Sequence, residues 1–145
     1  MQILQHGPTR RFLYGFWALR QRLFRHSGPV LKERHGLEMG DFFLLDRIAA
    51  SDLSPTEIAA ALEIPAHAIS RRLDVLEKQG SIRRALDPRD ARRRVLTLTE
   101  AGERRLERAA ATMEHETEAF LGVLDACALD AFLDTLERLA KDRTP

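Results

Sequence analysis

The spacing of apolar residues in this chain changes at Gly80 and changes back at Thr99. Before Gly80 they recur every three or four positions, the period of helices with one buried face. Ile82–Leu86 and Arg93–Leu98 read instead as strands, the second setting Val95, Thr97 and Thr99 against Leu96 and Leu98. Asp87-Pro88-Arg89-Asp90 lies between them and reads as a turn. After Thr99 the helical period returns. One hairpin enclosed by helices must bury its face on those helices. The expected class is mainly α with a small β-hairpin. At 145 residues the chain has the size of one domain.

The helices follow from period and punctuation. About Pro8 to Arg34 is helical in pattern, with Phe12, Phe16, Leu19 and Leu23 in one row and Leu13, Trp17 and Phe24 beside it. Ser27-Gly28-Pro29 should end or kink this helix, because proline lacks an amide donor and restricts its predecessor. A second helix spans about Met39 to Ala50, with Phe42, Leu45, Ile48 and Ala49 facing inward. Ser54-Pro55-Thr56-Glu57 is a strong start signal: Ser54 caps, Pro55 fits the first position and Glu57 closes a capping box. Pro65 keeps that helix short. The next runs from about Pro65 to Lys78, has Ile69, Leu73 and Leu76 on one stripe, and stops at Gly80 in a left-handed cap. A long helix after Thr99 carries Leu106, Ala110, Met113, Thr117, Phe120 and Leu124 near a heptad period. A last helix, capped by Asp125, aligns Leu129, Phe132, Leu136 and Leu139.

Composition narrows the class. Hydrophobic residues make up 44%, enough for a core. No apolar run approaches the roughly 20 residues of a membrane helix, and Met1–His6 lacks the basic start of a secretory signal, so a cytoplasmic chain is expected. The single cysteine, Cys127, excludes an internal disulfide framework; it reads as incidental rather than redox-active. The five histidines are dispersed. Glu114, His115, Glu116 and Glu118 cluster without a second histidine at ligand spacing, so no metal is expected. No glycine-rich phosphate loop, nucleophile elbow or histidine–carboxylate metal pattern occurs, so neither a cofactor nor an enzyme is expected.

Charge is unevenly placed. The net charge is +1, yet residues 67–99 hold nine basic against four acidic groups, while residues 100–145 hold six against eleven. A basic patch is the electrostatic footprint of a nucleic-acid binder, although a solvated surface can carry one too. Two short helices joined by a tight turn, then a hairpin, describe a winged helix-turn-helix. With the core side of the second helix set by Ile69, Leu73 and Leu76, His67 and Arg71 point outward, flanked by Ala68 and Ser70. Such a row can read base edges in a major groove. Arg72 lies nearer the core boundary and suits a phosphate. The hairpin tip gathers Arg89, Asp90, Arg92, Arg93 and Arg94. So many cations on two strands call for an anionic partner, and a guanidinium at the tip can enter a narrow minor groove. Asp90 is placed to orient Arg92.

These segments together resemble the MarR (multiple antibiotic resistance regulator) transcription factors, from about Arg10 to Leu139. The resemblance is carried by Leu53-Ser54-Pro55-Thr56-Glu57-Ile58-Ala59, by Ile69-Ser70-Arg71-Arg72-Leu73 with Leu76-Glu77-Lys78-Gln79-Gly80, and most by Asp87-Pro88-Arg89-Asp90-Ala91-Arg92 followed by Leu98-Thr99-Glu100-Ala101-Gly102. It implies an intertwined homodimer, a wing arginine (here Arg92) in the minor groove, and control by small anionic or phenolic ligands or by oxidation. Pro65 stands where the family usually has a serine or threonine cap, Arg72 replaces a commonly apolar residue, Ala91 stands where arginine is common, and Gly28-Pro29 is unusual.

The expected organisation is a dimerisation region at 8–34 and 100–145 around a DNA-binding lobe at 38–99. The apolar rows of the first and last helices exceed what a slim two-helix arm can bury, which supports dimerisation independently, with packing on the lobe as the alternative. A twofold dimer would face a pseudopalindromic double-stranded operator with recognition helices roughly 34–36 Å apart. The expected function is a sequence-specific transcriptional regulator, a repressor released by a small ligand. Trp17, Arg20, Phe42, Asp46 and His115 are candidates for a pocket taking a phenolic or carboxylate effector. The competing reading is a winged-helix module that binds protein rather than DNA; a steep salt dependence distinguishes the two.

Overall fold

A computed structural model describes residues 7–141; Met1–His6, on which the expectation about a signal segment rests, lies outside the described residues. The order is α1 (Pro8–His35), α2 (Met39–Ala50), α3 (Pro55–Ala61), α4 (Ala66–Lys78), β1 (Ile82–Asp87), β2 (Asp90–Leu98), α5 (Glu100–Leu121) and α6 (Ala126–Ala140). Among the described residues the chain is mainly helical with one antiparallel hairpin. No helix among the described residues is long and apolar enough to cross a membrane.

Local signals set most boundaries. Ser54 N–H donates to Glu57 Oε2 at 2.7 Å while Glu57 N–H donates to Ser54 Oγ at 3.3 Å, closing the capping box that opens α3. Thr99 accepts from Gly102 N–H at 3.0 Å, and Asp125 from Ala128 N–H at 2.9 Å. Gly80 ends the α4 turn at φ 71°, in the left-handed region. Pro65 precedes α4 without a side-chain cap; its carbonyl accepts from Ala68 and Ile69.

The core sits between α2, α4, the wing root and the junction of α1 with α5. Leu31, Leu44, Leu45, Ile58, Leu73 and Leu96 are among its fully or almost fully buried side chains. The connection before α3 is tied to the wing where Leu96 N–H donates to the Leu53 carbonyl at 3.0 Å.

Four expectations change. The helix does not stop at Ser27-Gly28-Pro29: α1 runs on to His35 with Pro29 inside it. Ser27 and Leu31 are buried here, and burying Leu31 recovers about 1.5–3 kcal/mol, comparable with the ~3 kcal/mol a mid-helix proline costs. In α2 Leu44 is buried and Ala49 is exposed, so the inward face is shifted. In α5 the buried alanine is Ala109, not Ala110. The strict alternation expected of β2 fails at Val95 and Leu96, both buried because the strand root is covered on two sides.

The terminal arm is different in kind. No residue of α6 is buried. Phe12, Leu13, Phe16 and Trp17 on α1 each expose about half or more of their surface, and Leu136 and Leu139 on α6 are exposed too.

Candidate nucleic-acid interface

The recognition row forms as its spacing requires. Ile69, Leu73 and Leu76 anchor one side of α4, which turns His67, Ser70 and Arg71 to solvent and leaves Ala68 half-buried. Arg71 forms no salt bridge among the described residues. Arg72 does not stand free for a phosphate: its Nη1 donates to Asp41 Oδ1 of α2 at 2.8 Å. Its guanidinium lies over Gly40, where an added Cβ would come within 2.6 Å of Nη1. Arg72 therefore fastens α4 to α2.

The wing sorts its arginines. β1 and β2 pair in register from Ile82–Leu98 to Leu86–Arg94, then slip so that Asp87 pairs with Asp90. The slip leaves Ala91, Arg92 and Arg93 without a cross-strand partner, and such irregularities re-aim side chains. Arg93 turns inward. It donates to Asp87 Oδ2 at 2.9 Å and to the Asp52 carbonyl at 3.3 Å, and it pairs with Glu57 at the start of α3. Arg93 is thus a bracket between wing and helix-turn-helix rather than a tip contact. Arg84 of β1 is likewise held internally, pairing with Asp74 and Glu77 of α4. Arg89 is mostly exposed and sits 3.6 Å from Asp52 and 3.8 Å from Asp87. Arg92 is exposed with no salt bridge among the described residues. Asp90 does not orient its guanidinium; it accepts from the Arg92 backbone N–H at 3.0 Å and so shapes the turn. Arg94, across from Leu86, is exposed beside it.

The bracket leaves an electrostatic signature. The backbone N–H of Ser54, and then Arg93, hold the Glu57 carboxyl down at about 2. The Arg89 backbone N–H, with the charges of Arg89 and Arg93, lowers Asp87 against an opposing burial effect. A depressed carboxylate stabilises the fold above its ordinary pKa and loses that contribution as pH falls through its folded value. Acid unfolding followed by circular dichroism is therefore expected to steepen between about pH 4.5 and about pH 2. Glu57→Gln should flatten that window, and an unchanged profile would count against the bracket.

The candidate effector residues are not brought together. A cavity of about 530 Å³ does lie where α1, α2 and α5 converge, lined by Phe24, Phe42, Phe43, Met113 and Glu118 among others. Of the expected set it includes only Phe42. Arg20 lies over the Phe24 ring at 4.6 Å and lines a neighbouring apolar groove between α1, α5 and α6. Trp17, Asp46 and His115 line neither, because helical spacing fixes a face only to within a residue or so. Phe43, Met113 and Glu118 were missed; the sequence marks them only as further members of amphipathic helices.

A helix-turn-helix whose second helix presents a polar row, flanked by an arginine-tipped hairpin, defines a winged helix-turn-helix. Residues 35–93 match the model of the MarR family. That match covers the helix-turn-helix and most of the wing, 59 of the 145 residues. Solved structures extend the likeness along the chain. Wild-type MarR from E. coli in its apo form is 20% identical with a TM-score of 0.77, over 94% of this chain and 99% of that one. CouR, a transcriptional repressor bound to a 23-mer DNA duplex, is 27% identical with a TM-score of 0.78, over 88% and 91%. A Mycobacterium tuberculosis MarR family protein in complex with p-aminosalicylic acid is 24% identical with a TM-score of 0.73, over 88% and 97%. No curated protein sequence matches this chain significantly.

Proposed function

We propose that this protein is a homodimeric, sequence-specific regulator of transcription that binds a pseudopalindromic double-stranded operator and acts as a repressor. The carrying observation is the division of labour among its arginines. Arg72, Arg84 and Arg93 are spent on internal carboxylates, while Arg71 on α4 and Arg92 on the wing stay exposed and without salt bridges among the described residues. His67, Ala68, Ser70 and Arg71 face the major groove in this reading, and Arg92, aided by Arg89 and Asp90 at the turn, enters the minor groove. The DNA duplex held by CouR supports this use of the fold.

The dimer closes through 8–34 and 100–145, whose exposed apolar residues supply the contact, and the lobe at 38–99 carries the DNA surface. A small phenolic or carboxylate effector occupies the cavity between α1, α2 and α5 and releases the operator. The salicylate in the Mycobacterium relative, which carries both groups, supports that ligand class.

Selection of bound DNA from a random pool tests the reading, with two half-sites about one helical turn apart expected. Arg71→Ala should broaden the selected half-site, costing about 1–3 kcal/mol of discrimination at one base pair. A purified dimer that enriches no sequence would refute the proposal.

A further inference from the structure

A second cavity, of about 590 Å³, opens where the end of α1 meets the α4–β1 corner and the first turns of α5. Arg34, His35, Gln79, Ser81, Arg105 and Arg108 supply its polar wall, and no acidic residue lines it. This is notable in a chain with 22 acidic residues. Arg34, Arg105 and Arg108 form no salt bridge among the described residues.

Arg105 is a fixed part of the wall. Its Nε donates to the His35 carbonyl at 2.9 Å, Nη1 to Gln79 Oε1 at 2.8 Å and Ser81 Oγ at 2.9 Å, and Nη2 to the Gly36 carbonyl at 3.0 Å. All four acceptors are neutral. A guanidinium has five N–H donors, so one remains, and its charge is unanswered by any of these bonds. Burial, then the charges of Arg108, Arg34 and Arg105, holds the His35 imidazole below its ordinary pKa.

We propose that this cavity binds a small multivalent oxyanion, such as a phosphate group, between Arg34, Arg105 and Arg108. The site is separate from both surfaces described above. It shares no lining residue with the cavity between α1, α2 and α5. It also lies away from the recognition row: Gln79 is ~13 Å along the α4 axis from Ser70, and Ser81 stands at the wing root, ~20 Å from the tip. The occupant proposed is therefore a free anion rather than a backbone phosphate of bound DNA. Through Arg105 the anion would brace the α1–α2 turn against the end of the recognition helix.

Calorimetric titration of the full chain with inorganic phosphate, at ionic strength held constant with chloride and without DNA, tests this. Saturable binding of one phosphate per chain is expected. Arg34→Gln combined with Arg108→Gln should weaken it at least about tenfold. Arg105 is left in place because it holds the fold; if the double variant melts early, Arg34→Gln alone, at an exposed position, serves the same comparison. No heat beyond the chloride control, or unchanged affinity in the variant, overturns the proposal. So does a variant that shifts only the monomer–dimer balance in sedimentation, which would assign the arginines to a second copy of the chain. Because no DNA is present, failure here leaves the operator reading untouched.

Discussion

Gly102→Ala is expected to destabilise the protein by on the order of 3 kcal/mol or more, since overpacking against backbone leaves little room to relax. A Cβ at this position would stand 1.8 Å from the Ser81 carbonyl oxygen, inside contact distance of main chain rather than of a movable side chain. The two segments cannot simply part. The same Ser81 carbonyl accepts from Thr99 N–H at 3.1 Å, and Thr99 Oγ1 bonds both the Gly80 carbonyl and Gly102 N–H. The wing root and the start of α5 are thus laced together where the extra carbon would go. The melting temperature should fall by about 10 °C or more. Gly15→Ala is the control: it is also helical, has nothing within 4 Å of the new carbon, and should be neutral or stabilising by up to about 1 kcal/mol. A Gly102→Ala melting curve that overlays the wild type would show that the α5 start is not packed this closely.

Arg92→Ala is expected to weaken operator binding about ten- to a hundredfold per half-site at moderate salt, and to lower the salt dependence. Its melting temperature should not move, because Arg92 contributes only a backbone N–H to the turn. Arg93→Ala offers the contrast. It should lower affinity indirectly and lower the melting temperature as well, since the bracket to Asp87 and Glu57 is lost. Paired gel-shift and thermal measurements on the two variants separate a contact from a brace. Equal effects of both on stability, or no effect of Arg92→Ala on binding, would contradict the division of the wing arginines.

That division shows where the sequence stops being legible. Ser54-Pro55-Thr56-Glu57, Gly80, Thr99 and Asp125 declare themselves because each acts on its own neighbours within a few residues. The stripe of Ile69, Leu73 and Leu76 fixes the outward face of α4 for the same reason. Arg92 and Arg93 are adjacent and chemically identical, and only the slip in strand register decides which one faces solvent. Arg72 and Asp41 are 31 positions apart, so their pairing leaves no local trace. Continuation of α1 through Pro29 is likewise decided by packing around Ser27 and Leu31, which propensity does not encode. The cavity residues fail most widely, because three helices each contribute an uncertainty of about one position.

The apolar side of α6 has a thermodynamic consequence. A segment with no buried residue in the isolated protomer, and only Leu129 and Phe132 half-covered, has little to hold it against fraying beyond its own backbone bonds and the Asp125 cap. If two protomers close over Leu129, Phe132 and Leu136, order in this limb becomes a property of the pair, and mass action governs it. Dilution would then loosen the C-terminal limb first while the laced wing root endured, and the spacing between the two reading heads would be lost before either head came apart.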